Sequence, residues 1–191
     1  MHNRFCKGEK HDMIKKVLII SASARRGGNS DLLCDRFAAG AKDAGNVVEK
    51  IFLKDHKINY CSGCGVCNNT HKCVQKDDME PLIQKMIDAD VIVMATPVYF
   101  YAMNGQMKTF IDRTVPRYEE ITDKEFYFIV AAADDSHANM EKTLEGFRGY
   151  LDCLPGAVEK GTIYGTGAWQ IGDIKGKLAM EEAYTTGKGI A

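Results

Sequence analysis

No apolar run in this chain approaches the roughly 18 to 20 residues that a membrane-spanning helix needs. Charge of neither sign prevails: 25 Lys and Arg against 26 Asp and Glu leave a net −1. That balance gives no electrostatic case for nucleic acid or for an anionic membrane surface. The chain has neither G-x-x-x-x-G-K-[ST] nor G-x-G-x-x-G, which disfavours a nucleoside triphosphate and a Rossmann dinucleotide. No Ser/His/Asp arrangement or paired-carboxylate site stands out. The five histidines are scattered, and only His71 is placed to be weighed as a ligand. The first residues, MHNRFCKGEKHD, lack the apolar stretch of a secretory signal. A cytoplasmic location with reduced thiols is therefore expected. Seven cysteines, an odd number, also argue against a disulfide framework. Of the isolated ones, Cys34 and Cys153 read as small buried hydrophobes and Cys6 as a tail thiol.

What is present is an alternation of apolar runs and helical patterns over 191 residues, enough for one α/β domain with a proper core. Residues 17–23 and 91–96 are continuous, partly β-branched apolar runs and read as buried strands. Residues 47–53 and 126–133 read as two more, and 157–164 as a weaker fifth. Between them, Leu33, Phe37 and Ala41 recur at helical spacing, with Gly45-Asn46 as a stop. Residues 77–90 form a helical pattern with Pro81 in its first turn. Met107, Phe110, Ile111 and Val115 share one face of a helix over 104–115. Two further helices are expected at 138–152 and 175–188. Strands alternating with helices predict right-handed crossovers and a parallel sheet covered on both faces. Five such strands fit a doubly wound, flavodoxin-like order 2-1-3-4-5. Ligands then bind beyond the carboxyl ends of the strands, where the winding reverses between strands 1 and 3. The loops to inspect follow Ser21, Thr96 and Ala133.

The first of these loops is SASARRGGNSD. Short hydroxyls (Ser21, Ser23, Ser30), Gly27 and Gly28, Asn29, and Arg25 or Arg26 gather at a helix start. Unpaired N–H groups and the positive end of the helix dipole favour an anion there, and arginine adds a charged fork. The pattern suits a terminal monophosphate; a polar turn capped by Asn29 or Ser30 is the simpler alternative.

The second concentration of chemistry is CSGCGVCNNTHKC, with Cys61, Cys64, Cys67 and Cys73 in thirteen residues. Zinc sites usually draw on two separated Cys pairs. Three cysteines at successive x2 spacing are more like ferredoxin ligation. Here the last gap is x5 and Val74 follows, so Cys73 is able to close the same cluster. Gly63 and Gly65 permit tight turns between ligands. A [4Fe–4S] cluster, a cluster-free thiol loop and a zinc site all stay open on spacing alone.

Three stretches together resemble a known family. SASARRGGNS is similar to the G-S-P-R-x-x-G-N-[ST] loop of the NADPH-dependent FMN reductase and iron–sulfur flavoprotein families. Ala22 and Ala24 stand where those families have glycine and proline. TPVYFYAMNGQMKTFIDR resembles their Pro-[Val/Ile]-Tyr turn and the helix ending Lys-x-Phe-x-Asp-Arg. The cysteine stretch resembles the compact motif of the iron–sulfur flavoproteins. The likeness is strong from Val17 to Arg113, weaker beyond, and leaves residues 1–12 outside as an N-terminal extension to a domain over 13–191.

The resemblance implies a flavodoxin-like fold, FMN, NAD(P)H as electron donor, and a homodimer or homotetramer whose interface completes the flavin sites. It also implies a shelf at Pro97, Val98, Tyr99 and Phe100 for the isoalloxazine. Asn104 is then a helix cap or a cofactor contact, and Ala133 and Asp134 line the pyrimidine side. Trp169 is a lid or part of a partner subunit's site. Lys108, Asp112 and Arg113 read as a solvated face with a subunit contact. Three functions follow for testing. The first is an NAD(P)H-dependent FMN or quinone-type reductase with a small-molecule electron acceptor. The second is an iron–sulfur flavoprotein carrier, with a one-electron donor such as ferredoxin. The third is a non-enzymatic FMN-binding module with a metal-stapled loop.

Overall fold

The structure is a computed structural model that describes residues 14–191; the expected extension at 1–12 and the thiol of Cys6 lie outside the described residues. Among the described residues there are six strands: β1 (Lys16–Ser21), β2 (Val47–Phe52), β3 (Val91–Tyr99), β4 (Ala102–Met103), β5 (Glu125–Ala131) and β6 (Val158–Gly165). Six α-helices accompany them in the same residues: α1 (Asn29–Asp43), α2 (Cys67–Thr70), α3 (Met79–Asp88), α4 (Gly105–Asp112), α5 (His137–Leu151) and α6 (Leu178–Lys188). The sheet order is β2-β1-β3-β5-β6 and every pairing on that path is parallel. With the short β4 set aside, this is the expected 2-1-3-4-5 order.

The apolar runs form strands because the sheet buries them on both faces. Along β1 the residues alternate between two cores. Val17 and Ile19 pack with Leu33, Phe37 and Ala41 of α1 and Ala183 of α6. Leu18 and Ile20 pack with Leu82 and Met86 of α3, Phe110 of α4 and Phe147 of α5. The reversal between β1 and β3 sends α1 to one face and α3 to the other, opening a crevice above their strand ends.

β4 was not expected. It pairs antiparallel with the end of β3, Val98 opposite Met103 and Tyr99 opposite Ala102. The two-residue turn between them is Phe100-Tyr101, at φ 51° and 59°. Such turns need positive φ at both central residues and normally use Asn-Gly, so two aromatic residues gave no cue. The final helix begins at Leu178 rather than 175, and a short helix, α2, lies inside the cysteine stretch.

Two side chains correct their expected environments. Cys34 is buried, as read, but Cys153 is exposed. It lies in the turn after α5, beyond the buried stripe that ends at Tyr150 and Leu151. Arg113 is not on a solvated face: it is 2% exposed. α4 is short, and its C-cap residue turns inward, where a carboxylate meets it. No helix among the described residues is long and apolar enough to cross a membrane.

Candidate functional site

The chain turns sharply after β1. Gly27 holds φ 66°, a left-handed conformation that costs a non-glycine residue roughly 1 kcal/mol or more. The Ser23 hydroxyl donates to the Arg25 carbonyl at 2.7 Å and closes the turn from within. The N-cap of α1 is Gly28, with no side-chain capping bond, so neither Asn29 nor Ser30 caps the helix. The first N–H groups of α1 consequently lack intrahelical partners. Ser30 is buried, and its Oγ has no hydrogen-bond partner. An orphaned buried hydroxyl costs about 1–3 kcal/mol. It sits in the wall of a cleft of about 370 Å³, together with Ser23, Arg25, Pro97, Tyr99 and Trp169. The donor set fits a phosphate: one free hydroxyl, a helix N-terminus and an arginine.

The cleft is also lined by Pro97, Val98 and Tyr99 at the end of β3 and, beside them, by Ala131 at the end of β5 with Ala132 and Ala133 after it. The alanines leave the strand ends open to a flat group. Trp169, largely exposed, closes the margin, and Arg25 reaches its carbonyl through Nη2. A second cleft of about 430 Å³ adjoins through Ala24 and Tyr99 and contains His56, Asn104 and Gln106.

Several expected contacts lie elsewhere. Ser21 is fully buried behind the loop, its hydroxyl donating to Asp31 Oδ1 at 3.1 Å. Asn29 borders the cleft, but its amide ties down the segment after β6. It donates to the Ala168 and Gln170 carbonyls and accepts from the Gly172 and Ile174 N–H groups. Asn104 caps α4 by accepting from Met107 N and donates to the Ala22 carbonyl. It therefore joins the first and second loops rather than entering the main cleft. Phe100 is fully exposed at the hairpin tip and lies outside the cleft wall. The Asp134 carboxylate accepts from Ser136 N and Asn139 Nδ2 at the start of α5, and those bonds lower its pKa.

One residue without a role in the sequence reading organises the loop. Asp31 accepts from Gly27 N at 2.9 Å and Ser21 Oγ, and pairs with Lys50 Nζ at 2.7 Å. Burial alone would lower the Lys50 pKa; Asp31 and Asp35 outweigh it and hold it raised. The negative charge of Asp31 is thus balanced from β2.

The cysteine stretch forms a second site. Cys61, Cys64, Cys67 and Cys73 all line one small cavity, together with Asp112, Arg113, Val115 and Pro116. Gly63 and Gly65 take φ 67° and 71°, the left-handed turns the spacing required. Cys61 and Cys64 are exposed; Cys67 and Cys73 are half-buried. The Val66 N–H, assisted by the Ser62 hydroxyl, lowers the Cys64 thiol, in the direction a ligand thiolate needs. By contrast, burial pushes Cys34 up to about 12 and makes it inert. Among the described residues, no three His, Cys, Asp or Glu side chains are grouped closely enough to hold one metal ion.

The model of a family described as NADPH-dependent FMN reductase matches residues 15–155, a span that includes the loops after β1, β3 and β5. An iron–sulfur flavoprotein of Archaeoglobus fulgidus is 41% identical over 53% of this chain and 46% of its own length. The chain spans about half the length of the iron–sulfur flavoproteins it matches. YwqN of Bacillus subtilis, provisionally named an NAD(P)H-dependent FMN-containing oxidoreductase, is 27% identical over 80% of this chain and 85% of its own. Among solved structures, an NAD(P)H:quinone oxidoreductase from Methanothermobacter marburgensis superposes with a TM-score of 0.71, covering 94% of this chain and all of its own. At 14% identity that likeness speaks for the flavodoxin-like fold. With the family model running through three of the cleft's loops and most of the sheet, the chain belongs to the NADPH-dependent FMN reductase family.

Proposed function

We propose that the chain is an FMN-dependent oxidoreductase that takes electrons from NADH or NADPH and passes them to a small-molecule acceptor. One observation carries the reading. The Ser30 hydroxyl is buried and unpartnered in the wall of a cleft at the start of α1, where a monophosphate would satisfy it. Bound FMN would supply hydride and electron transfer chemistry at its ring system. The chain's own part is to bind and orient. Ser30, Arg25 and the N-terminal amides of α1 take the phosphate, while Asp31 and Ser23 keep their loop folded. Pro97 to Tyr99 and Ala131 to Ala133 border a flat slot for the ring. The exposed aromatics Tyr99, Phe100 and Tyr101 lie beside it. Their exposure supports a homodimer or homotetramer in which a partner subunit covers that face.

A second reading adds an iron–sulfur cluster, and it too has its own observation: four cysteines on one cavity. The donor set of four cysteines fits a [4Fe–4S] cluster, held by Cys61, Cys64, Cys67 and Cys73. Such a cluster would supply one-electron exchange with a carrier such as a ferredoxin.

The test is anaerobic. FMN-loaded protein is mixed with NADH or NADPH, and the oxidised flavin band is followed. Bleaching by either nicotinamide supports the reductase. Bleaching by reduced ferredoxin while both nicotinamides fail would replace it with the carrier. Anaerobic reconstitution should give about four irons per chain, lost in Cys64→Ser with FMN retained.

A further inference from the structure

The cysteine loop is joined at its base by a buried ion pair. Asp77 follows the loop and Asn59 precedes it. The Asp77 carboxylate accepts from Asn59 N at 3.0 Å and from both Arg113 Nη atoms, at 2.7 and 3.0 Å. Arg113 Nη1 also donates to the Asn59 carbonyl at 2.6 Å. The two ion-pair side chains are 2% and 1% exposed. One guanidinium from the end of α4 therefore grips both ends of the loop. The same guanidinium reaches into it: Nη2 lies 3.5 Å from Cys73 Sγ. Its Nε is buried without a partner, and Arg113 forms part of the wall of the cavity shared by the four cysteines.

We propose that Arg113 is a positioning residue for the cysteine loop: with Asp77 it ties the loop's two ends together before any metal arrives, and it holds one cationic N–H against the sulfur of Cys73. Closing residues 59–77 in advance removes loop-closure entropy from the binding of whatever the cysteines take up. The charged contact also makes Cys73 unlike its neighbours. Cys61 has only a neutral backbone N–H, from Gly63 at 3.5 Å. A cationic donor on one ligand sulfur stabilises the more negative, reduced state of a cluster and raises its potential. This second consequence rests on the iron–sulfur reading; the clasp does not.

The experiment compares wild type with Arg113→Lys, Arg113→Gln and the double variant Arg113→Met/Asp77→Leu. An apolar pair of similar volume often replaces a buried ion pair without loss of stability, so the double variant stays informative if Arg113→Gln fails to fold. Retained FMN reports an intact sheet. In FMN-loaded, metal-free protein, amide exchange over residues 59–77 should be about tenfold faster or more in Arg113→Gln and in the double variant. Arg113→Lys, which keeps the charge but not the fork, should fall between. After anaerobic iron loading, the midpoint potential followed by paramagnetic resonance should stay near wild type in Arg113→Lys. It should move negative in the two variants without the charge, a change that a merely structural role would not produce. Wild-type exchange rates in the double variant would overturn the clasp, and an unchanged potential there would overturn the contact to Cys73. Wild-type protein that takes up no iron overturns the iron–sulfur reading and the tuning with it, while the exchange comparison still decides the clasp.

Discussion

The loop after β1 and the loop after β2 leave neighbouring strands of one sheet, but different forces hold them. Residues 22–28 are folded by a glycine turn, a serine hydroxyl and the carboxylate of Asp31, with Lys50 behind it. The loop lies against a cleft that the sheet topology itself creates, where the buried Ser30 hydroxyl at the start of α1 is without a partner. Residues 59–77 have no such floor. Their cysteines are exposed or half-buried, and the loop hangs from Arg113 and Asp77. A phosphate site can be distributed over backbone groups, because helix N–H donors are always there to supply. A thiolate site must bring four side chains together, so it depends on whatever closes its loop.

The largest break in this comparison is Asp77→Ala. It strands the Arg113 charge in the interior, where breaking a buried pair costs about 3–5 kcal/mol. Urea unfolding should show that loss. Removal of the exposed Lys108–Asp112 pair should cost well under about 1 kcal/mol.

Acid should loosen the same clasp. The Arg113 guanidinium, assisted by the Asn59 and Met79 N–H groups, holds the Asp77 carboxyl at about 2. An unfolded aspartate titrates near 3.9. A depressed carboxyl stabilises the fold fully above the unfolded value and loses that contribution as pH falls through the folded one. About 2 kcal/mol should therefore disappear between pH 4 and 2. Asp77→Leu with Arg113→Met should flatten the profile in that window.

Ser30→Ala sharpens the other side of the comparison, because its two effects have opposite signs. Without ligand, removing an orphaned buried hydroxyl should raise stability by about 1 kcal/mol. With ligand, it removes a bond to a charged phosphate and should weaken FMN by about tenfold or more. Thermal unfolding with and without FMN reads both. A Ser30→Ala protein no more stable than wild type would mean that the hydroxyl is satisfied some other way.

A further effect of modest size on stability is at the hairpin. Phe100 and Tyr101 hold left-handed backbone angles that aromatic residues avoid. Asn-Gly in their place should stabilise the protein by about 1 kcal/mol. The same variant should lose NAD(P)H turnover, since strain kept on exposed residues beside a cleft points to use.

Much of this architecture was legible in the chain. The apolar runs at 17–23 and 91–96 read as strands because burial on both faces leaves no polar alternation to confuse them. The β1–α1 loop read as an anion site because Gly27 and Gly28, hydroxyls and arginine meet at one predicted helix start. Long-range pairing was not legible. Arg113 and Asp77 are 36 residues apart, and an arginine ending an amphipathic helix ordinarily faces water. Ser21 looked like a cofactor donor until the fold placed Asp31 beneath it. Cys153 missed burial by two residues of helix, and the Phe-Tyr turn carries none of the residues that announce a hairpin.

The central claim is that the cleft over β1, β3 and β5 reads a terminal monophosphate. Calorimetric titration of flavin-free protein with FMN and with riboflavin tests it most directly. FMN should bind at least about 100-fold more tightly, the gain of about two charge-assisted bonds, and that advantage should shrink in Ser30→Ala. Equal affinity for FMN and riboflavin in the wild-type protein would contradict the account.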